Sequence, residues 1–513
     1  MHIVWFKRDL RISDHAPLCA AASAGPVLAL HVMEPALLAQ ADVDARHLGF
    51  LVEALDDLES RLAALGVRLL LKVGDMPQVL DALHRLRPVS GLWSHEETGN
   101  LASFARDRAV AAWCRAHAVP WRQFPSGGVV RALRDRDDWS AIWLARMTPA
   151  PLPPPDRATG VDTTGWPAVP AALPLVSGAD VRDRQRAGLR NAQTLLDDFL
   201  VRRVIRYRRG MSSPLSGGHD CSRLSPHLAL GTLSLREVVH AVWHARARWQ
   251  AEPSRRHADV ALAGLKSFES RLHWHCHFVQ KLETEPALEQ RAVNRLYDGL
   301  REPDFSPALH RAWCAGQTGF PFIDACMRAL IATGWINFRM RAMLVAFSSY
   351  HLWNHWREPG LHLARLFTDY EPGIHWPQVQ MQSGVTGINA LRIYNPVKQQ
   401  LDQDPDGVFV RRWLPELARV PRALLAEPWR MDAVQQRESG CVIGRDYPPP
   451  IVDHLAAARA ARARLGELRR LPEAAAEARR VFALHGSRNP AREGLPARAR
   501  RREGGAGQMD FGF

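Results

Sequence analysis

Residues 2–6, HIVWF, form a short strand-like run, and how that run is read decides how the first quarter of the chain folds. Similar runs return as VLALHV (27–32), VRLLLKV (67–73), GLWSHE (91–96) and WRQFPS (121–126). Stretches with a helical period, such as 47–64 and 101–117, separate them. Short apolar runs alternating with amphipathic helices argue for a parallel sheet wrapped by helices. Ligands in such sheets bind beyond the carboxyl ends of the strands. No GxGxxG follows the first run, so the usual dinucleotide fingerprint is absent.

Further along, MTPAPLPPPDRATGVDTTGWPAVPAALP (147–174) breaks all periodicity and reads as an extended linker. Helical periods then dominate, at 188–206, 233–249, 256–282, 319–332 and 336–356. FTDYEPGIHWPQVQMQSGVTGINALRIYNP (367–396) reads as an irregular insert, and long irregular stretches in compact domains usually carry function. The tail opens as an Ala/Arg/Glu helix and ends in a segment whose composition predicts disorder. The expected fold is therefore an α/β amino-terminal domain with a doubly wound parallel sheet, followed by an all-α domain. Its expected divisions are 1–130 for the α/β unit, 131–187 for the linker, 188–452 for the helical unit and 453–513 for the basic tail.

The chain has 513 residues, 46% of them hydrophobic, enough for more than one core. With no apolar run of eighteen residues and no signal-peptide core, it reads as soluble and cytoplasmic, with no membrane partner. Seven scattered cysteines give neither a disulfide framework nor a cluster-ligand spacing. The formal net charge of +14 points to a polyanion such as nucleic acid, because cations that neutralise phosphates release counterions. Thirteen arginines against six acids after residue 454 place about half of that excess in the tail.

FESRLHWHCHF (268–278) sets His273 and His277 on one helix face at a spacing that could chelate a metal. No HExxH or paired CxxC supplies further ligands, so no metal is expected. The chain also carries 17 tryptophans against 6 tyrosines, with Trp335, Trp353, Trp356 and Trp376 close together. Besides filling cores, indoles stack on flat ligands and relay electrons. At a spacing of three, Trp353 and Trp356 are expected on one helix face.

Four ordered blocks then give a resemblance: MHIVWFKRDLRISDHAPL (1–18), SRLSPHLALGTLSLREV (222–238), WCAGQTGFPFIDACMRALIATGWINFRMR (313–341) and RIYNPVKQQLDQDPDGVFVRRWLPEL (392–417). Together they resemble the photolyase/cryptochrome flavoproteins, nearly to residue 450. The resemblance implies an antenna-type domain at 1–130 and an FAD-binding helical domain at 188–452. Tyr207, Ser222, Arg223, Leu224 and Ser225 would contact the diphosphate region, with Ser222, Arg223 and Ser225 at a helix start that favours anions. Phe268 and Glu371 join the implied cofactor set, and Arg341 with Asp369 matches a charged pair beside the isoalloxazine. In repair members, light excites reduced anionic FAD and an electron splits a damaged pyrimidine pair flipped out of DNA. The implied partner is UV-damaged DNA, double- or single-stranded, met by a monomer. Trp274 matches the tryptophan that stacks on the lesion, while His275, Arg339 and Gln399 fall on the DNA side.

Several positions depart from the family pattern. Arg271, assigned to the catalytic set, stands where many cyclobutane-dimer photolyases carry a glutamate. Phe338 replaces an asparagine, whose amide the adjacent Asn337 is expected to replace, and Ala342 replaces a methionine. Gly373, Ile374 and His375 compete for the position nearest flavin N5. For the electron relay, Trp376 is the proximal indole and Trp356 the middle one; the distal position falls near Pro303, leaving Trp353 or Tyr297 to substitute. The resemblance also implies an antenna chromophore, with no residue set choosing among a folate, a deazaflavin, a second flavin or an empty pocket. The terminal QMDFGF, Gln508–Phe513, resembles glutamine-plus-aromatic peptides that dock into bacterial sliding clamps. The expected activity is light-dependent repair of pyrimidine lesions, with blue-light signalling as the alternative.

Overall fold

The computed structural model describes residues 1–166, 176–254 and 256–488. Five parallel strands, β1 (His2–Trp5), β2 (Val27–Met33), β3 (Leu69–Val73), β4 (Gly91–His95) and β5 (Trp121–Phe124), form one sheet in the order β3-β2-β1-β4-β5. Register is fixed by pairs such as Ile3 with Leu28 and Ile3 with Leu92. All seven residues of β2 and all five of β4 are buried, as expected of strands covered by helices on both faces. The flanking helices start on side-chain caps, among them Asp44 for Ala45–Ala64 and Asn100 for Leu101–Ala116.

From Leu189 to Trp413 the chain is helical, and its backbone is the 27-residue helix Ala258–Thr284. At 1.5 Å per residue this helix runs about 40 Å, long enough to carry one wall of a large site. It packs against the helices Val204–Gly210, Leu235–Ala251 and Pro372–Gln382. Two glycines permit the closest approaches. A Cβ on Gly264 would collide with the Val204 carbonyl oxygen, and one on Gly373 would sit 2.8 Å from the Val279 Cα.

The α/β and helical units are joined by arginines of the α/β unit that donate to main-chain carbonyls at helix ends and turns of the helical unit. Arg11 donates to the Gly231 carbonyl at 3.1 Å, Arg8 to that of Ala229 at 3.0 Å, and Arg46 to that of Leu366 at 3.0 Å. Buried carbonyls need such partners, so these contacts fix the relative placement of the sheet and the helices.

Three stretches differ from the sequence expectation. The interval 131–187 contains a helix, Trp139–Met147, because Trp139, Trp143 and Met147 recur every four residues and bury one face in the helical core. The insert expected to be irregular contains the helix Pro372–Gln382, with Pro377 inside it. A mid-helix proline costs about 3 kcal/mol, which burial of Trp376 and Val379 offsets. The expected helix 336–356 ends early: Phe338–Ala346 passes into a π-helical turn at Phe347–His351, and Trp353 adopts φ 54°. Trp353 and Trp356 therefore do not share a helix face. The tail forms two helices, His454–Arg469 and Pro472–His485, while Gln508–Phe513 lies outside the described residues. Among the described residues no helix is long and apolar enough to cross a membrane.

Candidate functional site

A cavity of about 3080 Å³ opens in the helical unit. Pockets for small ligands run about 300–1,000 Å³, so this one has room for a dinucleotide and more. Tyr207, Ser222, Arg223, Leu224, Ser225, Phe268, Arg341, Asp369 and Glu371 all line it. So do Arg271, Trp274, His275, Arg339 and Gln399, which the resemblance assigned to the catalytic and DNA sides. Residues from distant parts of the sequence thus meet around one space.

The Ser222–Ser225 turn is built under strain. Arg223 has φ 61°, a left-handed conformation that costs a non-glycine residue about 1–3 kcal/mol and that clusters at ligand clamps. Its geometry is held by Gln185, which accepts from Arg223 Nε at 3.0 Å and donates to the Arg223 carbonyl at 2.9 Å. The guanidinium lies 3.9 Å from the Trp335 ring centroid. Burial pulls its pKa down to about 10, so an anion in the cavity would be favoured beside it. Ser225 begins the helix Ser225–Ala229, whose proline at the first turn removes an amide that no carbonyl could have accepted.

Arg341 and Asp369 form a two-pronged pair: Nη1 to Oδ1 at 2.9 Å and Nη2 to Oδ2 at 2.8 Å. The third donor, Nε, goes to the Ile336 carbonyl at 2.8 Å, and the guanidinium covers the Phe367 ring at 4.0 Å. Burial alone would raise the Asp369 pKa, but Arg341 and the Ser225 hydroxyl together hold it below the ordinary aspartate value. Glu371 is bound by Arg8 at 3.0 Å, and burial raises its pKa.

On the long helix, Arg271 hydrogen-bonds the Tyr207 hydroxyl, whose pKa burial pushes up to about 12. Trp274 packs on His277, at 4.5 Å ring to ring, and on Phe278, at 5.7 Å. The suspected His273–His277 chelate is engaged otherwise: His273 Nε2 lies 3.3 Å from Ser140 Oγ, and His277 Nδ1 accepts from Arg136 at 3.0 Å. Asp9, His15 and His95 form the one metal-like grouping found among the described residues. Both imidazoles meet Asp9 Oδ2, at 2.9 and 2.7 Å, and His15 Nδ1 accepts the Leu18 amide. The His15 proton therefore sits on Nε2, the atom a cation would need.

Two expected positions are corrected. Gly373 is absent from the cavity wall because it packs on Val279, while Ile374 and His375 reach the wall. Asn337 does not supply the missing amide: it is 1% exposed and donates to the carbonyls of Met211 and Ser212 at 3.1 and 2.8 Å. Trp356 and Trp376 do not line the cavity but stand behind His375, which is 5.0 Å from Trp376 ring to ring. Trp353 is flanked by Arg301 and Arg464, 4.6 and 4.9 Å from its ring centroid. Two cations raise the cost of forming a positive indole there.

Sequence reading missed Gln378 and Gln382, which line the cavity one helical turn apart on the Pro372 helix. Gln378 Oε1, both amide atoms of Gln382, Gln399 Oε1 and His275 Nδ1 are buried without a partner. Unmet polar groups around a large space fit a polar, hydrogen-bonding occupant. The signal for these glutamines was their spacing of four, which Pro377 obscured.

A parallel sheet docked on a helical unit, with a strained cationic turn and an arginine–carboxylate fork around one cavity, defines a two-domain nucleotide-cofactor protein. The DNA photolyase family matches residues 2–135, and the FAD binding domain of DNA photolyase matches residues 268–467. The chain belongs to the photolyase/cryptochrome family, and FAD is its cofactor. It is 29% identical to a deoxyribodipyrimidine photo-lyase of Agrobacterium fabrum over 479 residues, 88% of this chain and 95% of that one. It is 28% identical to a cryptochrome DASH of Gloeobacter violaceus over 481 residues, 88% of this chain and 93% of that one. Among solved structures, a bacterial class III photolyase from Agrobacterium tumefaciens superposes with a TM-score of 0.77 at 27% identity, covering 92% of this chain and 98% of that one.

Proposed function

We propose that this protein is a light-driven DNA photolyase that reverses ultraviolet pyrimidine lesions. The observation that carries the reading is that Trp274, Arg271, Arg339 and Gln399 line the same cavity as Arg223 and the Arg341–Asp369 fork. A ligand held by the second group would share that space with a nucleotide received by the first. FAD, when bound and reduced, supplies an electron on absorbing blue light. The chain's own groups do the rest. Ser222, Arg223 and Ser225 would hold the FAD diphosphate by hydroxyls and a pre-set cation. The fork fixes a guanidinium that would stand ready for negative charge on the bound cofactor, and fixed dipoles and charges need no reorganisation during reaction.

Trp274 offers an indole face to a base pulled out of the duplex, which compensates part of the unstacking cost. Arg271, anchored through Tyr207, places positive charge beside the lesion where a glutamate would repel an added electron. Arg339 and the exposed Lys398 supply cations at the cavity wall for backbone phosphates.

A photoreceptor without repair uses the same cofactor. Phe338, 36% exposed on the cavity wall in place of an amide, favours it, since a phenyl ring cannot hydrogen-bond a pyrimidine edge. The deciding experiment irradiates the reduced holoprotein with blue light alongside oligonucleotides bearing a cyclobutane dimer or a 6-4 lesion. Restored bases support repair. Full flavin occupancy with neither lesion reversed leaves the photoreceptor.

A further inference from the structure

Next to Trp274, the wall of the cavity and the layer behind it hold a group of bases with little to neutralise it. Arg136, His277, Lys281 and His485 are each at least nine-tenths buried, and His277, Lys281 and His485 line the cavity. They come from three places: the segment before Trp139, the long helix, and the end of the helix Pro472–His485. Their polar atoms are incompletely used. Arg136 gives Nη2 to His277 Nδ1 at 3.0 Å, but its Nη1 has no partner. His485 holds Glu285 through Nε2 at 2.6 Å, but its Nδ1 has none. Lys281 Nζ stands 5.0 Å from the Phe278 ring centroid.

The electrostatics agree with the geometry. Burial, then Arg136, pulls Lys281 down to about 7, and burial, then Arg488, pulls Arg136 down to about 10. Each therefore loses stability as a cation for want of a nearby anion. Glu285, the carboxylate on His485, is also engaged by Arg295 and lies 3.9 Å from Arg480. Buried donors with open hydrogen-bond capacity, Lys281 and His485 facing the cavity and Arg136 behind them, suit an oxyanion carrying several acceptors.

We propose that Lys281 and His485, backed by Arg136 through His277, form a binding site for one phosphate group of a nucleic-acid strand, adjoining the nucleotide received by Trp274. The inference rests on the reading of the cavity as a DNA-binding one. The ring contact of 4.5 Å between Trp274 and His277 ties the two places together. A strand entering with one base on Trp274 would bring a neighbouring phosphate to this group, and the helix Pro472–His485 would thereby take part in substrate binding.

The test uses the full-length holoprotein and a short single-stranded thymidine oligonucleotide, with and without an ultraviolet dimer, titrated over a series of KCl concentrations. Lys281→Gln should keep its flavin and weaken binding about tenfold at low salt. Its plot of log K against log salt should be shallower by about 0.7, the share of one single-strand phosphate. Lys281→Arg should keep the wild-type slope, and Trp274→Ala should weaken binding with the slope unchanged. A wild-type slope in Lys281→Gln overturns the phosphate site while leaving DNA binding in place. If the wild type binds neither oligonucleotide, the DNA reading and the site fall together. Should Lys281→Gln fail to fold, His485→Gln decides: a several-fold loss of affinity supports the site, and no loss overturns it.

Discussion

Trp356 and Trp376 meet edge to face, ring centroids 5.9 Å apart and planes at 76°, with neither side chain more than 1% exposed. Within van der Waals reach and shielded from water, the two indoles can exchange an electron without large solvent reorganisation. Trp376→Phe should therefore slow photoreduction of bound oxidised FAD by at least an order of magnitude while leaving its uptake unchanged. Loss of the flavin absorption band under blue light with an external reductant measures the rate. An unaltered rate would show that electrons enter by another route.

Arg223 is the strained residue of the cofactor turn. Arg223→Ala removes a cation stacked on Trp335 and aimed at the cavity, and a charge-assisted hydrogen bond is worth about 1.5–3 kcal/mol. FAD affinity should fall by about tenfold to a hundredfold, read from flavin fluorescence on dilution. Lysine should restore little, because it lacks the planar fork and the stacking face.

Gly264 lies where the long helix crosses the Val204–Gly210 helix, and a methyl there would be driven into the Val204 carbonyl. Gly264→Ala should lower stability by about 1–3 kcal/mol, the usual cost of overpacking. Urea denaturation followed by circular dichroism checks it.

Burial holds the buried imidazoles of His31, His227, His351 and His375 down at about 4 each, against 6.5 in the unfolded chain. For a base whose folded pKa is depressed, the unfolded chain binds more protons between those two values. Stability is therefore full above pH 6.5 and is lost as pH falls towards 4. Each such histidine adds about 1.4 kcal/mol per pH unit to the slope within that window. Thermal unfolding between pH 4 and 8 should show the decline. His351→Gln should make it shallower, and a flat profile would contradict the burial of these rings.

Much of this architecture is legible in local pattern. HIVWF and the four runs after it became the five strands, because an apolar run between helical periods leaves little alternative to a covered sheet. The long helix was equally plain, its buried positions recurring through Ala261, Leu265, Phe268 and Leu272. Fourteen of the expected site residues line one cavity, since family motifs preserve residue order even where identity is low. The helix at Pro372–Gln382 was hidden because Gly373 and Pro377 disfavour it locally, and burial against the long helix, at Val279, and against the helices Phe338–Ala346 and Arg357–Leu366 stabilises it.

By itself, then, the sequence determined the α/β-then-helical order, the basic character and the family, all properties of composition, period and short motif. Tertiary structure alone decided that Trp353 leaves its helix to stand between two arginines, that Asn337 spends its amide on the backbone, and that His485 arrives beside Lys281. The reason is physical. Such juxtapositions join residues far apart in the chain, and they depend on how packed surfaces fit and where buried donors find acceptors, which no local period records.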